Sequence, residues 1–243
     1  MRVAHNEFLS LCRKVFEGKG LSLGDYEDCA EAIVWLEMHG MDGVAELQTL
    51  LDCSPKGESG PPRFEDTTLA VLEASDWSRV CGGLAVDLAY TKALHQGMAM
   101  VELVGSPAPR LVIRSLLDCA RRGMNALAHW RDKDLRQHLV TVEAGGAYPA
   151  YQLLAASEPG SGMAGASPVT IVCSRGITLE ASTTTPVLMR LAPEDFAERY
   201  RRALVEGIEV DEILWQRLVE LSRNVLVEST EESRRRGAGY GGF

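Results

Sequence analysis

Apolar residues recur at helical spacing in the first part of the chain. Residues 5–17 place apolar side chains three and four positions apart, which predicts an amphipathic helix. The same pattern returns over residues 22–40 and, for a shorter stretch, over 44–51. These segments together predict a helical N-terminal layer over residues 1–52.

The pattern changes after a loop predicted over residues 53–66, which holds three prolines and two glycines. Over residues 67–190 short apolar runs alternate first with helical segments and then with turns rich in glycine and serine. The first half of this region predicts βαβ units, and the second half predicts strands joined by loops. We expect one sheet-rich core here.

Two amphipathic helices are predicted over residues 193–227. Pro193, followed by two acidic residues, suits a first helical turn, and a second helix begins near Asp211. The remaining residues, 228–243, form a glycine-rich tail that is either flexible or an anion-binding nest. The whole chain, 1–243, is therefore predicted to be a single α/β domain with a mixed sheet and C-terminal helices packed on the core.

Charge and composition exclude some classes of function. The 243 residues carry a formal net charge of -9, which disfavours nucleic acid because phosphate binding needs clustered Lys and Arg. No apolar run approaches the roughly 20 residues that span a bilayer, and the N-terminus lacks the pattern of a signal peptide. We expect a cytoplasmic protein without a membrane partner.

The six cysteines are far apart in sequence, and none belongs to a CxxC or Cys/His motif with metal spacing. Their pattern predicts no metal site, and we expect all six to be buried free thiols.

A glycine motif in the second half of the core invites a nucleotide-binding interpretation. Gly160, Gly162 and Gly165 match G-x-G-x-x-G, which serves a pyrophosphate when it joins a strand to a helix. Here the segment leads into a predicted strand, with Pro168 between them. The context favours a flexible loop over a nucleotide site.

His39 is a candidate acid/base residue. It ends the second predicted helix, with Glu37 two residues before it and Asp42 three residues after it. A nearby carboxylate can orient an imidazole for proton transfer. The alternative is structural, because a histidine followed by glycine is a common end to a helix.

His129 is a second candidate. It lies near the end of a predicted strand and is followed by charged residues at 131–134. Ligands of α/β proteins often bind at the carboxyl ends of strands, although a structural role for this histidine is also open. His5, His95 and His138 are interpreted as structural residues.

Two segments resemble an uncharacterised bacterial family that is known only as a domain of unknown function. The first segment is Gly20 to Leu51. The second starts at Val210 and reaches the ending SR-x-x-GAG, from Ser233 to Gly239. The resemblance implies no activity, because the family has none established.

Three other stretches are similar to type-2 malate/L-lactate dehydrogenases: LEMHGMDGVAEL, the passage from VLEASDW to MAMVEL, and EGIEVDEILWQRLVELS. The resemblance implies NAD or NADP as a possible cofactor, on a fold unlike the Rossmann domain. That family has a Ser-His pair where Asp42 is followed directly by Gly43 here, and an arginine where this chain has Glu46. The chain is also about a hundred residues shorter than members of that family.

These observations leave two hypotheses. The first is a dehydrogenase- or reductase-like enzyme for a 2-oxo or imino acid, with His39 as the acid/base, Asp42 as its orienting partner and His129 as a further site residue. The second is a non-catalytic subunit or regulatory binding module, which the missing Ser-His pair favours. In either case we expect a small-molecule or protein partner and a homo-oligomer, most simply a dimer.

Overall fold

The computed structural model describes residues 1–53, 63–64, 69–74, 82–156, 167–179 and 184–225. Within these ranges the chain forms seven α-helices and ten β-strands. The helices are α1 (His5–Gly18), α2 (Leu23–Met38), α3 (Gly43–Asp52), α4 (Gly83–Gln96), α5 (Val112–Arg121), α6 (Pro193–Glu206) and α7 (Glu212–Ser222). The strands are β1 (Arg2–Val3), β2 (Arg63–Phe64), β3 (Leu69–Glu73), β4 (Met98–Val104), β5 (Asn125–Arg131), β6 (Arg136–Val142), β7 (Ala150–Ala156), β8 (Val169–Ser174), β9 (Val187–Leu191) and β10 (Ile208–Glu209).

Several sequence predictions concern segments outside the described residues. They are the glycine motif at Gly160, Gly162 and Gly165, the tail over residues 228–243, and most of the loop over 53–66. For these segments the predictions stay as they were stated.

The eight-stranded sheet is mixed, which confirms the predicted fold class. Its strand order is β2-β3-β4-β8-β5-β6-β7-β9, and β1 pairs separately with β10. Strands β3 and β4 are parallel and joined through α4, which is the predicted βαβ unit. Strand β8 lies between β4 and β5 and is antiparallel to both, so those two strands also run in one direction.

One face of the sheet supports the helices. In β5 the side chains of Ala126, Ala128 and Trp130 are buried, whereas those of Leu127 and His129 on the opposite face are partly exposed. Helix α4 contacts β4 and β8, and α5 contacts β5 and β6. Because successive side chains point to opposite faces of the sheet, one face is buried under the helices and the other is partly exposed.

The remaining helices form an outer layer over α5. Helix α2 contacts α1, α3, α5 and α6, while α7 packs against α1. The C-terminal helices anchor through the buried side chains of Phe196, Leu214 and Leu218. Asp211 caps α7 by accepting hydrogen bonds from the backbone amides of Ile213 and Leu214. No described helix is long and apolar enough to cross a bilayer.

The prediction that all cysteines are free thiols is wrong at Cys29, which is disulfide-bonded. Distance along the sequence does not limit distance in the fold, so widely spaced cysteines were no evidence against a disulfide. Cys12, Cys119 and Cys173 are buried free thiols, and Cys53 is a partly exposed one. The Cys119 and Cys173 sulfur atoms are 3.5 Å apart at the contact between α5 and β8.

Candidate functional site

The turn between α2 and α3 carries two of the three site residues expected from the sequence. His39 is the C-terminal cap of α2, and Asp42 precedes α3 in a left-handed conformation with φ 56° and ψ 43°. Gly43 follows, packed so closely on α2 that a Cβ there would overlap the carbonyl oxygen of Ile33 and lie 2.6 Å from the amide nitrogen of Glu37. The turn is therefore closed directly against the preceding helix.

His39 is buried, with 2% of its surface exposed. Its Nδ1 atom lies 2.6 Å from the carbonyl oxygen of Trp35, one helical turn earlier. Because a carbonyl only accepts, Nδ1 must carry the proton and donate it in this hydrogen bond. Nε2 has no hydrogen-bond partner among the described residues.

Two aromatic rings stack on the imidazole of His39. The ring of Trp35 stacks on it at a centroid distance of 4.0 Å, and the ring of Tyr200 from α6 stacks at 5.2 Å, nearly parallel. Tyr148 and Phe196 approach it in tilted arrangements. The orientation of His39 is thus fixed by packing as well as by its hydrogen bond.

Burial lowers the pKa of His39 to about 4, and the hydrogen bond to the Trp35 carbonyl opposes this only in part. Desolvation disfavours the charged imidazolium, so the ring is neutral at physiological pH. A neutral ring that donates from Nδ1 presents a lone pair at Nε2. Nε2 is therefore an acceptor without a partner among the described residues, and the atom itself is buried.

His39 lines a cavity of about 430 Å³ between α1, α2, α5, α6 and the β6–β7 loop. Its volume suits a small organic molecule. Apolar and aromatic side chains alternate with polar ones around it: His5, Leu9, Glu31, Val34, Trp35, Met38, His39, Arg114, Arg121, Tyr148 and Tyr200. A second cleft of about 450 Å³ shares Glu31, Arg114 and Arg121 with this cavity. We call the first the His39 cavity and the second the polar cleft.

The two arginines of the His39 cavity come from one helix, α5. Arg121 donates to Asp118 at 2.8 Å and is half exposed, so part of its guanidinium remains open to solvent. Arg114 pairs with Asp118 and lies 3.7 Å from Glu31. The cavity therefore combines apolar walls with a cationic side.

Arg110 pairs with both Asp42 and Glu46. Arg110 Nη1 lies 3.5 Å from Asp42 Oδ2 and 3.2 Å from Glu46 Oε1. Asp42, which the sequence assigned as the orienting partner of His39, thus pairs with Arg110. The backbone carbonyl of Trp35 orients the histidine instead. Burial raises the pKa of Glu46 to about 7, an effect that the attraction of Arg110 offsets only in part.

The raised pKa of Glu46 makes the stability of the protein depend on pH. Between the usual glutamate value of 4.5 and about 7, the folded state holds a proton that the unfolded chain has lost, so stability falls as pH rises. Glu46→Gln removes this effect. We expect the free energy of unfolding of the variant, relative to wild type, to improve by about 2–3 kcal/mol between pH 5 and pH 8.

Urea denaturation at the two pH values measures this difference. Glu17→Gln, at an exposed position in α1, is the control for the loss of one negative charge. An equal change in both variants would contradict the assignment to Glu46.

His129 lies on the sheet face opposite the helices. Its Nε2 atom is 3.2 Å from Gln137 Oε1 on the neighbouring strand. The described contacts therefore place His39, Asp42 and His129 in three surroundings: an aromatic cavity, the ion pairs of Arg110, and the sheet face opposite the helices. The structure brings His39 together with Arg114 and Arg121, which the sequence did not single out.

A buried polar network around His138 also escaped the sequence reasoning. His138 Nδ1 is 2.9 Å from the Tyr151 hydroxyl, and its Nε2 is 3.2 Å from Asp132 Oδ2. Trp130 stacks on the ring at 4.9 Å. Asp132 also accepts from the backbone amides at 134 and 136, so the network ties the β5–β6 hairpin together. Both ring nitrogens are satisfied, which fits the structural role expected for His138.

A family model described as "Protein of unknown function (DUF3726)" matches residues 3–76. This confirms the resemblance to a domain of unknown function at the N-terminal end of the chain. No curated protein matches the chain in sequence.

Solved structures match the chain over nearly its whole length. A dehydrogenase from Sinorhizobium meliloti has a TM-score of 0.68 at 11% identity, covering 91% of this chain and 99% of that one. Malate dehydrogenase from Pyrococcus horikoshii OT3 has a TM-score of 0.66 at 14% identity, covering 94% and 96%. The chain has a dehydrogenase-like fold. A third structure of this fold, delta1-piperideine-2-carboxylate reductase from Pseudomonas syringae pvar. tomato, has a TM-score of 0.58 at 12% identity, covering 91% and 99%. These low identities establish the fold alone.

The described residues do not fit a nicotinamide dinucleotide well. A pyrophosphate carries two negative charges and needs several uncompensated cations or backbone amides, which is more than the part of one guanidinium that a single carboxylate needs. The polar cleft next to the His39 cavity holds three arginines, but Arg122 is paired with Asp87 at 2.7 Å and Arg114 and Arg121 are paired with Asp118. Its four carboxylates, from Asp28, Glu31, Asp87 and Asp118, outnumber the arginines. Nor do the described residues hold a group of three or more side chains suited to a metal ion.

Proposed function

We propose that the protein is a non-catalytic binding module on a dehydrogenase-like fold, and that it binds a small organic acid in the His39 cavity. The observation that carries the proposal is the arrangement of that cavity. The buried imidazole of His39 lines the same cavity as Arg114 and Arg121, and apolar and aromatic walls complete it. Pockets of this size with few polar groups are typical of small-molecule sites.

The chemistry of the ligand follows from the lining. Arg121 is half exposed and has guanidinium nitrogens beyond the one that Asp118 occupies, so it can pair with one carboxylate. Leu9, Val34 and Met38 offer apolar contact for the rest of the ligand. Glu31 is paired with Arg13 at 3.0 Å and lies 3.7 Å from Arg114, so Arg121 is the lining cation with guanidinium nitrogens to spare, and a second carboxylate would lack a partner among the lining residues. A monocarboxylic acid with an apolar side chain fits best.

The turn at residues 39–43 supports a non-catalytic role. Asp42 is followed directly by Gly43, and Gly43 packs on α2 without space for even a Cβ atom. The Ser-His pair of the malate/L-lactate dehydrogenases would have to stand at this position. Glu46, which replaces the arginine of that family, is paired with Arg110. This turn therefore differs from the malate/L-lactate dehydrogenases in two features, the Ser-His pair and the arginine.

A dehydrogenase or reductase acting on a 2-oxo or imino acid is the second candidate. One observation favours it: His39 lines the cavity as a neutral imidazole whose Nε2 lone pair has no partner among the described residues, which is the protonation state of a general base. In that case His39 is the acid/base, and the Trp35 carbonyl takes the orienting role that the sequence gave to Asp42. A part for His129, the cytoplasmic location and the homodimer stay predictions from the sequence.

Thermal unfolding in the presence of organic acids tests the proposal. A saturating monocarboxylic acid with a branched apolar chain should raise the melting temperature by roughly 5 °C or more at about a hundredfold excess over Kd. Arg121→Gln should abolish most of this shift. Arg122→Gln is the matched control, since the neighbouring residue lines the polar cleft but not the His39 cavity.

The outcomes separate the two candidates. If no acid raises the melting temperature, or if Arg122→Gln removes the shift as completely as Arg121→Gln, the proposed site is wrong. If the protein consumes a 2-oxo or imino acid with NADH or NADPH, and His39→Gln abolishes this activity, the protein is an enzyme and the proposal of a non-catalytic binding module is wrong.

A further inference from the structure

We propose that Cys119 and Cys173 form a disulfide when the chain folds under oxidising conditions, and that this bond cross-links helix α5 to the central strand β8. Cys119 lies two residues before the end of α5, and Cys173 is the penultimate residue of β8. Both are free thiols in the structure. The pair is therefore a modification site, and its oxidation does not depend on what the His39 cavity binds.

The fold brings the two sulfur atoms into contact. They lie 3.5 Å apart, although the two cysteines are 54 positions apart in sequence. A disulfide bond is about 2 Å long, so roughly 1.5 Å remains to be closed. Small rotations of the two side chains about their Cα–Cβ bonds move the sulfur atoms by such distances. The bond therefore requires little change of the backbone.

The packing of the core keeps both cysteines in place. Cys173 lies between Ala99 of β4 and Ala126 of β5, its partners on the two neighbouring strands. Cys119 belongs to α5, which packs on β5 and β6. Both side chains are completely buried, so neither sulfur can turn away into solvent. Folding therefore already meets the entropic cost of bringing the two thiols together.

Oxidised glutathione is a sufficient oxidant for this reaction. The thiolate of one cysteine attacks a glutathione sulfur, a mixed disulfide forms, and one glutathione thiolate leaves. The thiolate of the other cysteine then attacks the protein sulfur of the mixed disulfide and releases the second glutathione. Two protein thiols are thus oxidised to one disulfide. One glutathione disulfide is reduced to two thiols, which take up the two protons.

Burial decides when the exchange can occur. An oxidant does not reach completely buried sulfur atoms, so the bond forms during folding or after local opening at the end of α5. The same burial keeps reductants away from the bond in the folded protein. The state of the pair therefore records the redox conditions under which the chain folded.

Refolding in a glutathione buffer tests the inference. Denatured and fully reduced protein is refolded in an excess of oxidised over reduced glutathione. Free thiols are then alkylated, and the disulfides are mapped by mass spectrometry after proteolysis. We expect most molecules to carry a bond between Cys119 and Cys173. Dithiothreitol added to the folded protein should leave this bond intact, whereas dithiothreitol with denaturant should break it.

The disulfide map also decides against the inference if it is wrong. Alkylation of both Cys119 and Cys173 as free thiols would overturn it, and a disulfide at Cys29 in the same molecules would show that the buffer was oxidising. A bond from Cys119 or Cys173 to any other cysteine would overturn it as well. Cys12→Ala removes another buried thiol, on α1, and should leave the bond between Cys119 and Cys173 unchanged.

Thermal unfolding gives a second readout. A cross-link between residues 54 positions apart restricts the unfolded chain, so protein refolded with oxidised glutathione should melt at a higher temperature than protein refolded with reductant. Because the bond at Cys29 also contributes, the same difference is measured for Cys119→Ala. We expect the wild-type difference to exceed that of the variant by roughly 5 °C or more. Equal differences contradict the cross-link, and if Cys119→Ala does not fold, the disulfide map of the wild-type protein decides.

Discussion

Replacing Gly43 with alanine is expected to destabilise the protein by more than about 3 kcal/mol, the range reserved for severe steric changes at buried sites. The added Cβ would overlap the carbonyl oxygen of Ile33 and lie 2.6 Å from the amide nitrogen of Glu37, and both are backbone atoms of α2. Backbone atoms within a helix cannot move aside without breaking its hydrogen bonds. Helix α3 would have to shift away from α2.

Chemical denaturation followed by circular dichroism measures this loss. Gly24→Ala is the matched control, because Gly24 is exposed in the first turn of α2 and an added Cβ meets nothing within 4 Å. Alanine there should stabilise the protein by about 0.5–1 kcal/mol, since it favours the helix. Comparable stabilities of Gly43→Ala and wild type would mean that α2 and α3 are not packed as described.

The regular elements could be predicted because they follow periodic patterns. Helices α1 and α2 bury the face on which their apolar side chains recur. Buried and partly exposed side chains alternate along β5. The sequence order of helices and strands also predicted the β3–α4–β4 unit. The position of β8 between β4 and β5 could not be read in this way, because antiparallel pairing across more than forty residues leaves no local signal.

Only the part of the His39 cavity that residues close together in sequence form could be predicted. Trp35 and His39 stand four residues apart on one helix, a spacing at which side chains meet, and this signal was available in the sequence. Tyr148 and Tyr200 come from a sheet loop and from α6, more than a hundred residues away. Only the packing of α6 and the sheet against α2 brings them to the imidazole.

Nearness in sequence misled the assignment of a partner to His39. Asp42 is three residues from the histidine, but the left-handed conformation at Asp42 begins a new helix that leads away from the end of α2. Its carboxylate lies against Arg110 from the segment before α5. A histidine at the end of a helix can donate its hydrogen bond to one of that helix's own carbonyls, and His39 donates to the carbonyl of Trp35.

The second large effect is expected from Glu46→Arg, which places in this chain the residue type that the malate/L-lactate dehydrogenases carry at this point. Arg110 Nη1 lies 3.2 Å from the Glu46 carboxylate, and the glutamate side chain is 10% exposed. The substitution would put two positive charges together in a desolvated position. We expect a loss of about 3–5 kcal/mol, as for a broken buried ion pair.

The double variant Glu46→Arg with Arg110→Glu tests whether charge is the cause. It restores the pair with reversed polarity, and Asp42 can then pair with the new arginine, so we expect at least half of the lost stability to return. Gln48→Arg, at an exposed position of the same helix, controls for the added charge and should lie within about 0.5 kcal/mol of wild type. Urea midpoints at constant m-value measure all three variants.

If the double variant is no more stable than Glu46→Arg, the loss comes from the size of the arginine rather than its charge. If stability does return, Glu46 and Arg110 depend on each other through their opposite charges. Introducing the arginine of the malate/L-lactate dehydrogenases at position 46 alone then cannot rebuild the site of that family.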